Sequence, residues 1–96
     1  MKLNPPSFDG RPDPTSAKRW LRDVKRTFTT IGMSAEFQVI FATYKLTDGA
    51  INWWETIKLT QDVTDITWEA FEGLFRSYYA NASHRAAMIR EYERLK

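Results

Sequence analysis

The chain has 96 residues, 43% of them hydrophobic and 15% aromatic, and a formal net charge of +2. That length bounds it to one small domain, or to a piece of a longer protein, and the apolar share suffices for a core without covalent staples. Cysteine is absent, which excludes a disulfide framework, thiol catalysis and cysteine-ligated zinc.

Residues 1–14 hold all four prolines, at positions 5, 6, 12 and 14. Proline removes amide donors and drives its predecessor towards extended backbone, so this stretch reads as an arm. Phe8 is its one aromatic residue, expected to dock on the neighbouring domain. The stretch lacks the apolar core of a signal peptide, and no run approaches the roughly 20 apolar residues that span a bilayer. The expected location is cytoplasmic, with the nucleus as the alternative, and no membrane partner is expected.

A helix is expected from Thr15 or Ser16, either of which can cap it. Ala17, Trp20, Leu21, Val24, Phe28 and Ile31 recur at three- and four-residue spacing as one apolar stripe, and Gly32 is the natural stop. Ser34 opens a second helix running to about Leu46. Phe37, Val39, Ile40, Phe41, Ala42 and Tyr44 make it apolar on most sides, the pattern of a central, buried helix. Thr47-Asp48-Gly49 breaks the pattern, and Asp48 is expected to cap a third helix with Ala50, Trp53, Trp54 and Ile57 inward. A loop spans Gln61 to Ile66. Thr67 caps a fourth helix whose stripe is Trp68, Phe71, Leu74, Phe75 and Tyr78, with Gly73 marking a close helix crossing. Ser83 caps a last amphipathic helix carrying Met88, Ile89, Tyr92 and Leu95 on one face.

The fold class is therefore all-α: a compact bundle of four to five short helices behind a proline-rich arm. The expected organisation is an arm at 1–14, a helical domain at 15–80 and a terminal amphipathic helix at 81–96. The expected core comprises Trp20, Val24, Phe28, Ile40, Phe41, Trp53, Trp54, Trp68, Phe71 and Phe75. Trp53 and Trp54 are separated by about 100° around a helix. One is expected to fill the core and the other to cover a flank.

Catalytic chemistry finds little support. His84 is the sole histidine, so a histidine-based triad or metal site lacks partners. Asp9 and Asp13 suit turn and capping roles beside glycine and proline. There is no glycine-rich phosphate loop and no nucleophile elbow. No enzyme activity and no cofactor are expected. Lys18, Arg22 and Lys25 form a basic row on the first helix. The aromatics, however, follow core spacing on the opposite face, so the row reads as solvated charge and not as an RNA-stacking platform.

The ordered set of motifs carries a resemblance. Phe8-Asp9-Gly10 and Asp13-Pro14 precede Trp20-Leu21 and a long helix to Gly32. Leu46, Gly49-Ala50 and Trp53-Trp54 follow, then Thr67-Trp68-Glu69 with Phe71 and Phe75. Over residues 5–80 this resembles the capsid region of Gag proteins from gypsy-class long-terminal-repeat retrotransposons, which also survives in domesticated relatives such as the neuronal protein Arc. Residues 83–96 resemble the first helix of the following, C-terminal lobe.

The resemblance implies a helical N-terminal capsid lobe that associates with itself into a shell. It also implies a groove for short apolar peptides, with Trp20 inside, Tyr44, Lys45 and Thr47 on the other wall, and Phe8 occupying or gating it. Self-association is expected through the polar, partly basic outer faces of the first helices and through Met88, Ile89, Tyr92 and Leu95. No CCHC zinc knuckle occurs in this chain, so RNA is expected to bind only weakly or through regions outside it.

Overall fold

The structure is a computed structural model that describes residues 7–80, 89–90 and 93–94. Four helices follow one another: α1 Pro14–Ile31, α2 Ala35–Tyr44, α3 Asp48–Thr60 and α4 Trp68–Tyr79. The fold is all-α. Among the described residues the only extended pairing is a single parallel bridge between Phe8 and Leu46.

The first helix starts earlier than its hydroxyl residues suggest. Asp13 is the cap, accepting from the Thr15 N–H at 3.0 Å and the Ser16 hydroxyl at 2.9 Å. Pro14 takes the first helical position, where its missing N–H costs nothing. Gly32 ends the helix in the left-handed conformation, with φ of 64°, and Met33 N–H reaches back to Phe28 C=O at 2.9 Å. Ala17, Trp20, Leu21, Val24 and Phe28 are buried as expected, whereas Ile31 lies exposed at the last turn.

The second helix departs most from expectation. It is peripheral, burying only Val39 and Ala42, and it ends at Tyr44. Ile40 is 63% exposed and is not core; Phe37 and Tyr44 are also exposed. Phe41 is half-buried, its ring 6.3 Å from that of Phe28. A ten-residue helix packed from one side has no use for apolar residues all round, so its pattern gave no direction to its buried face.

The third helix is capped by Thr47, not Asp48. Thr47 makes no side-chain capping bond; its N–H and hydroxyl donate to Phe8 C=O at 2.9 and 3.4 Å. Asp48 is already helical but has φ of 49°, a left-handed value that aspartate tolerates better than most residues. Ala50, Trp53 and Trp54 are buried. Both tryptophans turn inward, with ring centroids 5.9 Å apart.

In α4, Thr67 caps as expected, accepting from Ala70 N–H at 3.1 Å. Trp68, Phe71, Phe75 and Tyr79 are buried, while Tyr78 packs half-buried beside them. Gly73 is exposed, and a Cβ placed on it would meet nothing within 4 Å. It marks no helix crossing.

The core is an aromatic cluster in which α4 is central. Phe75 faces Phe8, Trp20, Trp53, Phe71 and Tyr79 at centroid distances of 5.0 to 6.2 Å. An ionic clasp joins α1 to α4 on the outside. Glu72 accepts from Arg76 at 2.8 Å and from Lys25 at 3.4 Å. Burial is the largest single influence on Glu72 and opposes its charge. The hydrogen bonds and charges of Arg76 and Lys25 outweigh it together and hold the carboxyl below its ordinary value.

Two glycines should respond in opposite ways. A Cβ on Gly10 would lie 2.8 Å from Ala50 N and 3.1 Å from Gly49 C, at a backbone φ of 89°. Gly10→Ala is expected to destabilise by about 2 kcal/mol or more. Gly73→Ala, in open space inside a helix, is expected to stabilise by about 0.5–1 kcal/mol. Urea midpoints for both variants check this, and the same sign for both would contradict it.

A third expectation concerns acid. With its folded value lowered, Glu72 contributes stability above its unfolded value of about 4.5 that is lost as pH falls through the folded value. Glu72→Gln should lower stability near pH 7 and flatten its decline below about pH 4.5. Equal slopes in wild type and variant would remove Glu72 as a contributor.

Candidate interaction groove at the N-terminal arm

The arm reaches the domain as extended chain. Phe8 N–H donates to Lys45 C=O at 3.0 Å, and Phe8 C=O accepts from Thr47 N–H at 2.9 Å. The residue is thereby held as a one-residue strand against the linker from α2 to α3. Its ring is 3% exposed and inserts among Trp20, Phe75 and Tyr79, at centroid distances of 5.7, 5.1 and 5.0 Å. Residues Asp9 and Gly10 then turn the chain. Asp9 accepts from Arg11 N–H at 3.0 Å and pairs with the Arg11 guanidinium at 3.4 Å. Burial opposes the Asp9 charge most strongly, but the hydrogen bonds and charge of Arg11 prevail and lower its carboxyl below the ordinary range. Gly10 lets the backbone approach the start of α3.

Beside this anchor lies an open cleft of about 410 Å³, bordered by Phe8, Asp9, Arg11, Arg19, Trp20 and Thr47 among others. Of the residues expected in a groove, Phe8, Trp20 and Thr47 therefore share one cleft. Trp20 is buried beneath it, so its ring is a floor and not a free wall. Lys45 contributes its carbonyl to the arm, while its ammonium lies 5.8 Å from the Phe41 ring centroid and 6.0 Å from that of Tyr44. Tyr44, 80% exposed, borders a different, shallower groove of about 390 Å³ between α2 and α3, with Ile40, Ile51, Trp54 and Lys58.

The basic row is divided. Lys18 and Arg22 are exposed on α1, whereas Lys25 is held by Glu72. Of the expected terminal helix, Met88, Tyr92 and Leu95 lie outside the described residues, as does His84; Ile89 is half-buried in helical backbone. Sequence reasoning missed the role of Gly10 and the apolar outer surface made by Phe37, Ile40 and Ile51. The signal for that surface was the lack of a polar side in α2. Among the described residues, no helix is long and apolar enough to cross a membrane.

The arm-and-lobe arrangement agrees with a comparison against protein families. The family model for the N-terminal capsid-like domain of retrotransposon-derived protein PEG10 matches residues 2–80. No curated protein and no solved structure matches the chain significantly. A match covering most of the chain, over an all-helical lobe with its arm docked, places it plainly: the chain belongs to the family of PEG10-type, Gag-derived N-terminal capsid-like domains.

Proposed function

We propose that this domain is a non-catalytic building block that associates with further copies of itself into a capsid-like assembly. The family match over residues 2–80 is the observation that carries the reading. The fold is compatible with it. The aromatic core and the docked arm make a lobe that can act as a rigid unit, leaving charged and apolar outer surfaces for contacts between copies. Shell building suits many weak contacts, because each later one acts at the effective concentration set by the others. Within this reading the terminal stripe Met88, Ile89, Tyr92 and Leu95 is one association surface. RNA is a secondary partner, since Glu72 already engages Lys25 of the basic row and leaves Lys18 and Arg22 as its unengaged members.

Light scattering against concentration and salt tests the reading. The average mass should rise with concentration, and Met88→Glu with Tyr92→Glu should reduce that rise. A mass fixed at the monomer throughout would overturn self-association. An unchanged rise in the double variant would remove only the terminal helix from it.

A second reading, a peptide-binding adaptor, is favoured by one observation: a single residue of the arm is held strand-like over a pocket lined by Trp20, Phe75 and Tyr79. An apolar peptide would take the same position. Phe8→Ala removes the plug at a cost of about 3 kcal/mol or more. The variant, held folded as judged by circular dichroism, should then bind phenylalanine-containing peptides with a saturable change in tryptophan fluorescence. No response across such a panel would exclude the adaptor.

A further inference from the structure

The arm presents a spaced pair of residues to the lobe, and not one ring alone. Phe8 and Gly10 are buried, while Asp9 between them is half-buried and borders the open cleft, the two-residue alternation of extended chain. Phe8 fills the pocket made by Trp20, Phe75 and Tyr79, with its backbone bonded to Lys45 and Thr47. Gly10 imposes the opposite demand. A Cβ there would lie 2.8 Å from Ala50 N, 3.1 Å from Gly49 C and 3.3 Å from the Tyr79 hydroxyl, and its φ is 89°. The receiving surface therefore calls for an aromatic side chain at one position and none at all two residues later. An apolar peptide without that glycine does not meet this pattern of aromatic-x-glycine.

Two segments of the chain carry the pattern, Phe8-Asp9-Gly10 and Phe71-Glu72-Gly73. The second is helical, with Phe71 buried in α4, so the arm is the segment that can pass between copies. Its attachment to α1 pivots on one residue. The Asp13 N–H donates to Arg11 C=O at 2.8 Å, which makes a three-residue turn about Pro12. Proline fixes φ, so the free angle is ψ. Rotating it from about +65° in such a turn to about +145° in extended chain gives up that bond and swings the arm off the lobe. The Asp13 cap stays with α1, and the Asp9–Arg11 pair travels with the arm. In the pocket of a second copy the Phe8 ring, the paired backbone and the Gly10 approach are made again. Exchange thus trades contacts within a chain for the same contacts between chains. It is opposed by the effective concentration of the tethered arm, and so it grows with protein concentration.

We propose that the arm is exchanged between copies: Phe8-Asp9-Gly10 of one chain occupies the Trp20–Phe75–Tyr79 pocket of another, selected by the aromatic-x-glycine pattern and released by the Pro12 turn. The inference rests on the self-association reading and names a contact that serves it. The pocket is incomplete without an arm. Each copy lends one and receives one, so exchange closes as a two-fold pair or continues from copy to copy.

A synthetic peptide of residues 7–13 is the probe. Added to the full chain carrying Phe8→Ala, it should change tryptophan fluorescence saturably, since Trp20 lies in the pocket and the peptide has no tryptophan. Peptides carrying Gly10→Ala or Phe8→Ala should bind about tenfold more weakly or worse. Sedimentation equilibrium of wild type, up to about 1 mM where weak contacts are populated, carries the test however that variant folds. The native peptide at several millimolar should lower the average mass by competing with exchanged arms, and the Gly10→Ala peptide should leave it unchanged. Equal binding of the native and Gly10→Ala peptides, or an associating wild type whose mass the native peptide does not lower, overturns the exchange and leaves self-association standing. Wild type that stays monomeric to about 1 mM overturns both.

Discussion

The Phe8 ring lies where the arm, α1 and α4 have to meet, and its backbone is bonded to the linker between α2 and α3. One residue therefore ties the arm to α1, to α4 and to the linker between α2 and α3. Burying a phenylalanine contributes about 1.5–3 kcal/mol, and each well-placed aromatic pair adds about 0.5–1.5 kcal/mol. Fixing extended backbone costs about 1–2 kcal/mol per residue, so the ring alone offsets the ordering of only a few positions. The rest of the arm needs anchors of its own. The Asp9 turn, the close approach of Gly10 and the Asp13 cap supply them in succession, and the last of these already begins α1.

The same anchor shapes the start of α3. Thr47 donates both its N–H and its hydroxyl to the arm and makes no side-chain capping bond to that helix. The next residue, Asp48, turns the chain with a left-handed backbone, a conformation that costs a non-glycine residue about 1–2 kcal/mol. That turn sets the buried Gly49 and Ala50 beneath Gly10, one helical turn ahead of Trp53 and Trp54. The two tryptophans then meet Phe71, and Trp53 reaches Phe75 and Tyr79 as well. Phe8-Asp9-Gly10 and Gly49-Ala50-x-x-Trp53-Trp54 are thus two sides of one contact, 40 positions apart in the chain.

That physical unity explains what could be read without coordinates. The stripe of α1 was legible because it has one apolar side and one charged side, and the Phe8 docking followed from a lone aromatic in an extended arm. The true cap, Asp13, was hidden by Pro14: a proline at the first helical position looks like a boundary but belongs to the helix. The α2 reading failed for a different reason. Periodicity reports direction only when polar residues occupy the other side, and in α2 they do not. Gly73 was read as a crossing because glycine permits one, yet the backbone there approaches nothing. For the groove, residue types placed Phe8, Trp20 and Thr47 together. Only the fold shows that Tyr44 turns to another surface, because that depends on where a helix ends.

The exposed apolar side of α2 and the aromatic core also divide the energetics of the domain. Folding relies on residues buried to a few per cent exposure, which α4 gathers from every other element. Phe37, Ile40 and Tyr44 contribute little to that cluster, since they lie exposed among the described residues. Their apolar area is therefore left for contacts outside the lobe, and it can be altered without opening the core. The Lys25–Glu72–Arg76 clasp works on the opposite account, drawing charge from the outer face of α1 into holding α1 on α4. Under the proposed self-association both arrangements would serve an assembling unit: the interior would stay fixed while contacts formed and broke, and a contact weak singly would stay reversible until neighbouring copies reinforced it.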